Sequence, residues 1–194
     1  MTPLTPEILI QAYCHGIFPM AEDDGTIYWY DPDPRAILPL DGFHLPRSLR
    51  QRMRKGDFEI RLDTAFRQVI QLCAEPAPGR EEVWISDEIV EIYCRLHDLG
   101  FAHSVETWMQ GELVGGLYGV SLNGLFAGES MFSRRTDASK IALVYLIRHL
   151  DARGFALLDI QFMTEHLRRF GAIEIPRKDY QQRLSEALKV DAGF

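Results

Sequence analysis

The sequence predicts an α/β fold of the α+β kind: a mixed, mainly antiparallel sheet flanked by helices, with a small N-terminal subdomain. Three observations carry this. Residues 102–127 read as three apolar strands separated by tight turns at Gln110-Gly111 and Asn123-Gly124. A long helical pattern then starts at Asp137 and is followed by an apolar strand over residues 156–161. With 46% hydrophobic and 25% charged residues, the 194-residue chain is ordinary for a globular protein and long enough to bury a core without disulfides or metal.

The elements follow in order. A first helix starts at Thr5, with Pro6 at its first position and Glu7 in its first turn, and ends near His15, where Gly16 takes a left-handed cap. Residues 17–20 lead into an acidic turn, Glu22-Asp23-Asp24-Gly25; residues 27–30 form a strand, stopped by Asp31-Pro32-Asp33-Pro34. Another short strand is expected over residues 36–40. Helices are predicted over residues 47–54 and 63–73, and a Pro- and Gly-containing loop over residues 75–80. Ser86 caps a helix whose first turn is acidic and whose Ile89, Ile92, Tyr93 and Leu96 share one face. After the three strands, residues 129–136 read as irregular and Asp137 as the cap of the long helix. A short helix over residues 164–170, a strand over residues 173–175 and a C-terminal helix from Arg177 complete the chain.

Cys14, Cys73 and Cys94 are odd in number and irregular in spacing, which argues against a disulfide framework and for a reducing compartment. The N-terminus lacks the basic-then-apolar pattern of a signal peptide, and no apolar run is long enough to span a bilayer. A cytoplasmic protein with no membrane partner is expected. The net charge of −7 argues against broad, non-specific nucleic-acid binding. One dense basic cluster stands out against it: Arg47, Arg50 and Arg54 at helical spacing, with Arg52 and Lys55 adjacent, a pattern suited to phosphates.

Three further constellations bear on chemistry. Residues 128–132, GESMF, miss the G-x-S-x-G nucleophile elbow because Phe132 replaces the last glycine and polar residues intervene before the helix, so a Ser130 hydrolase is disfavoured. Cys94 and His97 lie one helical turn apart, but no second ligand pair has metal spacing, and no metal site is expected. Asp159 and Gln161, two apart on an apolar strand, point to one face. Buried polar groups need partners, so this pair is either a structural hydrogen-bonded unit or an Asp that orients a neutral Gln beside a reacting amine. Glu129, ending another apolar strand, either pairs with Arg134 or Arg135 or reads a cationic group.

Three antiparallel strands, a loop, a helix and a further strand resemble the N-acetyltransferase fold; a small N-terminal subdomain over residues 1–60 and an N-acetyltransferase-like catalytic domain over residues 61–194 are expected. More specifically, the chain resembles the leucyl/phenylalanyl-tRNA–protein transferase family. The matching words are GIFP at 16–19, WYDPDPR at 29–35, WI at 84–85, GGLYGV at 115–120, GESMFSR at 128–134, ASK at 138–140, DIQ at 159–161 and IPR at 175–177. They occur in family order and span nearly the whole chain.

The resemblance implies transfer of Leu or Phe from an aminoacyl-tRNA to the N-terminus of a protein that begins with Lys or Arg, marking it for N-end-rule degradation. No cofactor is implied, because the tRNA ester is itself the activated donor. Asp159 and Gln161 are then the catalytic candidates and Glu129 the reader of the acceptor's basic side chain. An α-amino group has a pKa near ~8, so roughly a tenth is neutral at pH 7. Neutral Gln161 accepts a hydrogen bond from that amine without favouring its protonated form, and Asp159 behind it orients the amide and helps take up the proton. By position, Leu117, Phe126, Leu143, Leu146 and Leu158 are candidate walls of an apolar donor pocket. Trp84 matches an aromatic that stacks on the terminal adenosine, and Met20 stands where the family pattern has tryptophan. Arg47, Arg50, Arg54 and Lys55 would hold tRNA phosphates.

Two alternatives stand beside this reading. An acyl-CoA-dependent N-acyltransferase of the same fold would need a glycine-rich turn before the long helix, where this chain has Arg134-Arg135-Thr136-Asp137. A non-catalytic tRNA-binding module leaves Glu129 and the Asp159–Gln161 pair without a purpose.

Overall fold

The computed structural model describes residues 4–22, 24–76 and 84–194. Asp23 of the acidic turn and most of the loop expected over residues 75–80 lie outside them. The chain begins with α1 (Pro6–Cys14), capped as expected: the Thr5 hydroxyl accepts from the Ile8 N–H. Gly16 follows at φ +78°, and a Cβ there would sit 2.8 Å from the Tyr180 ring, so both conformation and space call for glycine.

Next come β1 (Phe18–Ala21) and β2 (Ile27–Tyr30), which form a separate two-stranded antiparallel sheet. They are followed by β3 (Arg35–Ile37), α2 (Arg47–Arg54), β4 (Glu59–Leu62), α3 (Phe66–Cys73), α4 (Asp87–Asp98), β5 (Ala102–Met109), β6 (Glu112–Leu122), β7 (Leu125–Ser133), α5 (Ala138–Ala152), β8 (Leu157–Gln161), α6 (Glu165–Arg168), β9 (Ile173–Ile175) and α7 (Arg177–Ala187). The seven-stranded sheet runs β4-β5-β6-β7-β8-β3-β9. Its pairs are antiparallel except β7 with β8, which α5 connects in parallel. The predicted class, a mixed and mainly antiparallel sheet flanked by helices, is the observed one. β3, from the first sixty residues, is inserted in the large sheet between β8 and β9.

Side chains alternate between two cores. Leu125, Ala127 and Leu157 face a layer containing α1, α3, α4 and α7; Phe126 and Leu158 face a layer built on α5 and α2. The period-two pattern of these strands therefore decides which helix each residue meets.

Three expectations are corrected. β1 is a strand; Pro19 hides its pattern and is tolerated because β1 pairs on one side only, with β2. β4 precedes α3, and α3 starts at Phe66 rather than Asp63, because the fully buried Glu106 on β5 accepts from the Ala65 N–H at 2.7 Å and fixes the start of that helix. β7 runs on to Ser133 through residues read as irregular. Asp137 does occupy the position before α5, but in a left-handed conformation and bonded to Lys140 rather than to the helix backbone.

Candidate active site

The site lies where β7 and β8 part. Their ladder runs Leu125–Leu157, Phe126–Leu158 and Ala127–Asp159, and there it ends. Beyond it, β7 stays paired with β6 while β8 turns away at Gln161. A cavity of about 410 Å³ opens between them. Its walls are mainly apolar: Leu117, Met131, Leu143, Leu146, Leu158 and Ile160, with Met20 and Trp84 on another side. Glu129, Ser130, Gln161, Thr164 and His166 supply its polar lining; Tyr118 also borders it, its buried hydroxyl without a hydrogen-bond partner among the described residues.

Two local distortions aim the polar groups. In the β6–β7 ladder Tyr118 faces Ser130 and Gly119 faces Gly128, so Glu129 is the extra residue of a β-bulge. Gly119 permits that register: a Cβ there would come within 2.3 Å of the Ala127 carbonyl oxygen and 2.4 Å of the Phe126 ring. On β8, Gln161 has φ +63°, and the Phe162 N–H donates to the Ile160 carbonyl at 2.7 Å, making a three-residue turn centred on Gln161. A left-handed backbone at a non-glycine residue is strained, and it persists only where the surroundings hold it. Here Asp159 Oδ1 accepts the Gln161 N–H at 2.9 Å.

The result is a direct contact. Gln161 Nε2 donates to Glu129 Oε1 at 2.9 Å. With the amide nitrogen committed to the carboxylate, the amide oxygen is the end available as an acceptor. Glu129 Oε2 accepts from the Tyr93 hydroxyl at 3.3 Å, and Tyr93 in turn bonds Tyr13 of α1. Neither Arg134 nor Arg135 claims Glu129; Arg134 pairs with Glu75 at 3.0 Å. Burial pushes the Glu129 carboxyl up to about 7; the nearby Asp159 charge adds to this, and the bonds from Tyr13, Gln161 and Tyr93 oppose it. The same burial, with the Glu129 charge, holds Tyr13, Tyr93 and Tyr118 well above the usual phenol range.

Asp159 is placed differently from its expected position behind the amide. It is fully buried and reaches only the backbone of Gln161. Its carboxylate receives Arg35 Nε at 2.9 Å and Nη2 at 2.6 Å, a two-point pair, and the Tyr180 hydroxyl at 2.8 Å. Arg35 Nη1 donates to the Gly16 carbonyl at 2.8 Å, and its guanidinium lies 4.4 Å from the Tyr180 ring centre and 4.8 Å from that of Phe18. Burial opposes the Arg35 charge, but the Asp159 bonds outweigh it and raise its pKa. One buried ion pair thus ties the cap of α1, β3, β8 and α7 together behind the site.

Of the residues singled out in the sequence, Glu129, Gln161, Met20, Trp84, Leu117, Leu143, Leu146 and Leu158 all line the one cavity. Phe126 does not; it is fully buried and stacks on Phe194 with ring centres 5.4 Å apart. Asp159 lies beneath the cavity wall. Arg47, Arg50, Arg54 and Lys55 are exposed on and beside α2, outside the cavity. Ser130 lines the cavity, but no histidine hydrogen-bonds it among the described residues, and no group of three or more His, Cys, Asp and Glu suited to a metal occurs among them. Arg35, Tyr13, Tyr93 and Tyr180 carry no functional signal of their own in the sequence. Tyr93 falls on the predicted apolar face of α4, where a hydroxyl aimed at a carboxylate leaves no signal.

The model of the leucyl/phenylalanyl-tRNA protein transferase family matches residues 37–185, and that of the family's N-terminal domain matches residues 2–33. The chain belongs to this family. A leucyl/phenylalanyl-tRNA–protein transferase of Herpetosiphon aurantiacus is 59% identical over 192 residues, 98% of each chain. One of Paramagnetospirillum magneticum is 54% identical over 196 residues, 100% of this chain and 94% of the other. Among solved structures, an aminoglycoside acetyltransferase from an uncultured soil metagenomic sample, in complex with sisomicin, is matched at TM-score 0.44 and 15% identity, over 70% of this chain and 89% of that one. The bulge at Glu129 and the turn at Gln161 fall in two of the words that carry the family resemblance, GESMFSR and DIQ. No helix among the described residues is long and apolar enough to cross a membrane.

Proposed function

We propose that this protein transfers Leu or Phe from aminoacyl-tRNA to the N-terminal Lys or Arg of an acceptor protein in the cytoplasm, marking it for N-end-rule degradation. The observation that carries the reading is the Glu129–Gln161 contact at the edge of a mainly apolar cavity. The donor side chain occupies the apolar part, walled by Leu117, Leu143, Leu146 and Leu158. Phe126 acts through packing behind that wall. The terminal adenosine rests against Trp84 and Met20, and the exposed cations Arg47, Arg50, Arg54 and Lys55 meet tRNA phosphates. Glu129 attracts the basic side chain of the acceptor.

In the reaction, the acceptor's neutral α-amine attacks the ester carbonyl carbon. The new N–C bond forms, the C–O bond to the ribose breaks, and the amine's proton ends on the departing ribose oxygen. Gln161 orients the amine through its amide oxygen and never needs to hold the proton. Holding amine and ester together is worth ~7–11 kcal/mol in favourable cases, so positioning carries most of the acceleration. Asp159 serves by fixing the Gln161 turn. The acyl-CoA alternative fares worse, because the Asp137 carboxylate stands at the start of α5, where that chemistry would seat a pyrophosphate.

The deciding experiment is transfer of radiolabelled Leu or Phe from charged tRNA to an Arg-starting peptide. No transfer by folded protein would overturn the reading. Two further results are expected. Removing Arg50 and Arg54 should weaken donor binding and flatten its dependence on log salt by roughly 0.7–0.9 per charge lost, read from binding titrations between low and high salt. Tyr93→Phe removes a bond that favours ionised Glu129. The KM for an Arg-starting peptide should therefore rise at neutral pH, with its pH profile moving to the alkaline side while donor affinity is unchanged.

A further inference from the structure

The two-stranded sheet carries an aromatic face that leads out of the cavity. Phe18 and Met20 of β1 lie on the same side of that strand. Phe18 meets Phe162, a cavity-lining residue, edge-on at 5.7 Å, and Met20 lines the cavity itself. Directly opposite residues on antiparallel strands share a face, with Cβ atoms about 5 Å apart. Phe18 is opposite Tyr30 and Met20 is opposite Tyr28. The first pair shows the geometry, its rings stacked 6.0 Å apart. The second pair sets Tyr28 on the same face as the cavity-lining Met20, just outside the lining itself. Tyr28 is 51% exposed, and its hydroxyl makes no hydrogen bond among the described residues. A large exposed ring that neither packs in the core nor bonds a neighbour is suited to a planar ligand. The Ala21 N–H donates to the Trp84 carbonyl at 3.1 Å, which locks the strand to the aromatic on the same side of the cavity.

We infer that Tyr28, continuing the surface of Met20, stacks on the adenine of the donor's terminal nucleoside and supplies the planar platform that methionine alone lacks. The inference rests on the donor reading given above. Methionine fills the gap beneath the base with an adaptable apolar side chain, while Tyr28 and Trp84 offer π-faces. Trp29, 43% exposed on the same strand, is opposite Pro19 and faces the other way, so it takes no part.

The test is calorimetric titration with 3′-(phenylalanylamino)-3′-deoxyadenosine, a non-hydrolysable copy of the donor's end. Tyr28→Ala should weaken binding by about tenfold, the order expected for losing one base–aromatic stack, and Tyr28→Phe should restore it. With charged tRNA, Tyr28→Ala should raise the donor KM and leave kcat near wild type, a split that general damage to the fold would not give. Trp29→Ala should bind as wild type does. Unchanged affinity in Tyr28→Ala, or a loss in Trp29→Ala instead, would overturn the assignment of Tyr28 while leaving the donor reading intact. If wild-type protein fails to bind the analogue, the donor reading falls and this inference with it.

Discussion

Asp159→Ala should lower stability by roughly 3–5 kcal/mol and abolish transfer in the same step. The variant removes one half of a pair whose side chains are each 1% exposed, leaving the Arg35 guanidinium charged and buried without its carboxylate. It also strips the acceptor from the Tyr180 hydroxyl and from the Gln161 N–H. Loss of activity alone would then say nothing about chemistry, because an unfolded site is inactive for any reason. The double variant Arg35→Met with Asp159→Leu separates the two. Replacing both charges with apolar groups of similar size is often neutral or better for stability, so its urea midpoint should recover much of the loss. Its transfer rate should not recover, because the Gln161 turn still lacks the bond that holds its left-handed backbone. A double variant that regains both would show that Asp159 matters only as a counter-charge. A wild-type midpoint in Asp159→Ala would show that the pair does not brace the fold.

How much of this could be read without coordinates follows from the range of each signal. The Thr5 and Ser86 caps, the hairpin expected over residues 102–120 and the left-handed Gly16 are local, set by residues within a few positions of one another, and each is found where expected. β1 and β4 are not local. Pro19 interrupts one pattern, and residues 59–62 become a strand because β5 offers them an edge. Of the cavity, Phe162, Thr164, His166 and Leu167 carried no functional signal, while Trp84, Leu117, Glu129 and Gln161 were legible because they fall in the family words, and Leu143, Leu146 and Leu158 by their position on facing elements. Their mutual geometry was not. Adjacency, which is what a sequence displays, points Glu129 towards Arg134 or Arg135. The actual partners, Tyr93 and Gln161, lie 36 and 32 positions away. Asp159 likewise binds an arginine 124 positions upstream, at the first residue of β3. That contact exists because β3 returns to the sheet beside β8, a topological fact that no short window encodes.

The bulge presents Glu129 to the cavity and burial makes it a pH-dependent group there, and Glu129→Gln should show this in two measurements with opposite signs. A carboxyl raised to about 7 in the folded protein, against 4.5 as its ordinary value, binds its proton more tightly when folded. Folding is therefore penalised as pH rises from about 4.5 towards 7, and above 7 the penalty is complete. Glutamine carries no such penalty and keeps the amide contact with Gln161 within reach. Its thermal midpoint should thus exceed that of wild type at pH 8 and converge with it near pH 4. Acceptor use should move the other way. In the wild type, the KM for Arg-starting peptides should fall as pH rises through 7, because only the ionised carboxylate pairs with the guanidinium. In Glu129→Gln that KM should be higher by about 10- to 100-fold at pH 8, in line with ~1.5–3 kcal/mol for a charge-assisted hydrogen bond, and should be flat with pH. Donor affinity should be unchanged. A variant more stable at pH 8 yet as good with Arg-starting peptides would remove Glu129 from acceptor recognition. It would leave the carboxylate as a strained group whose use must be sought in the Gln161 contact alone.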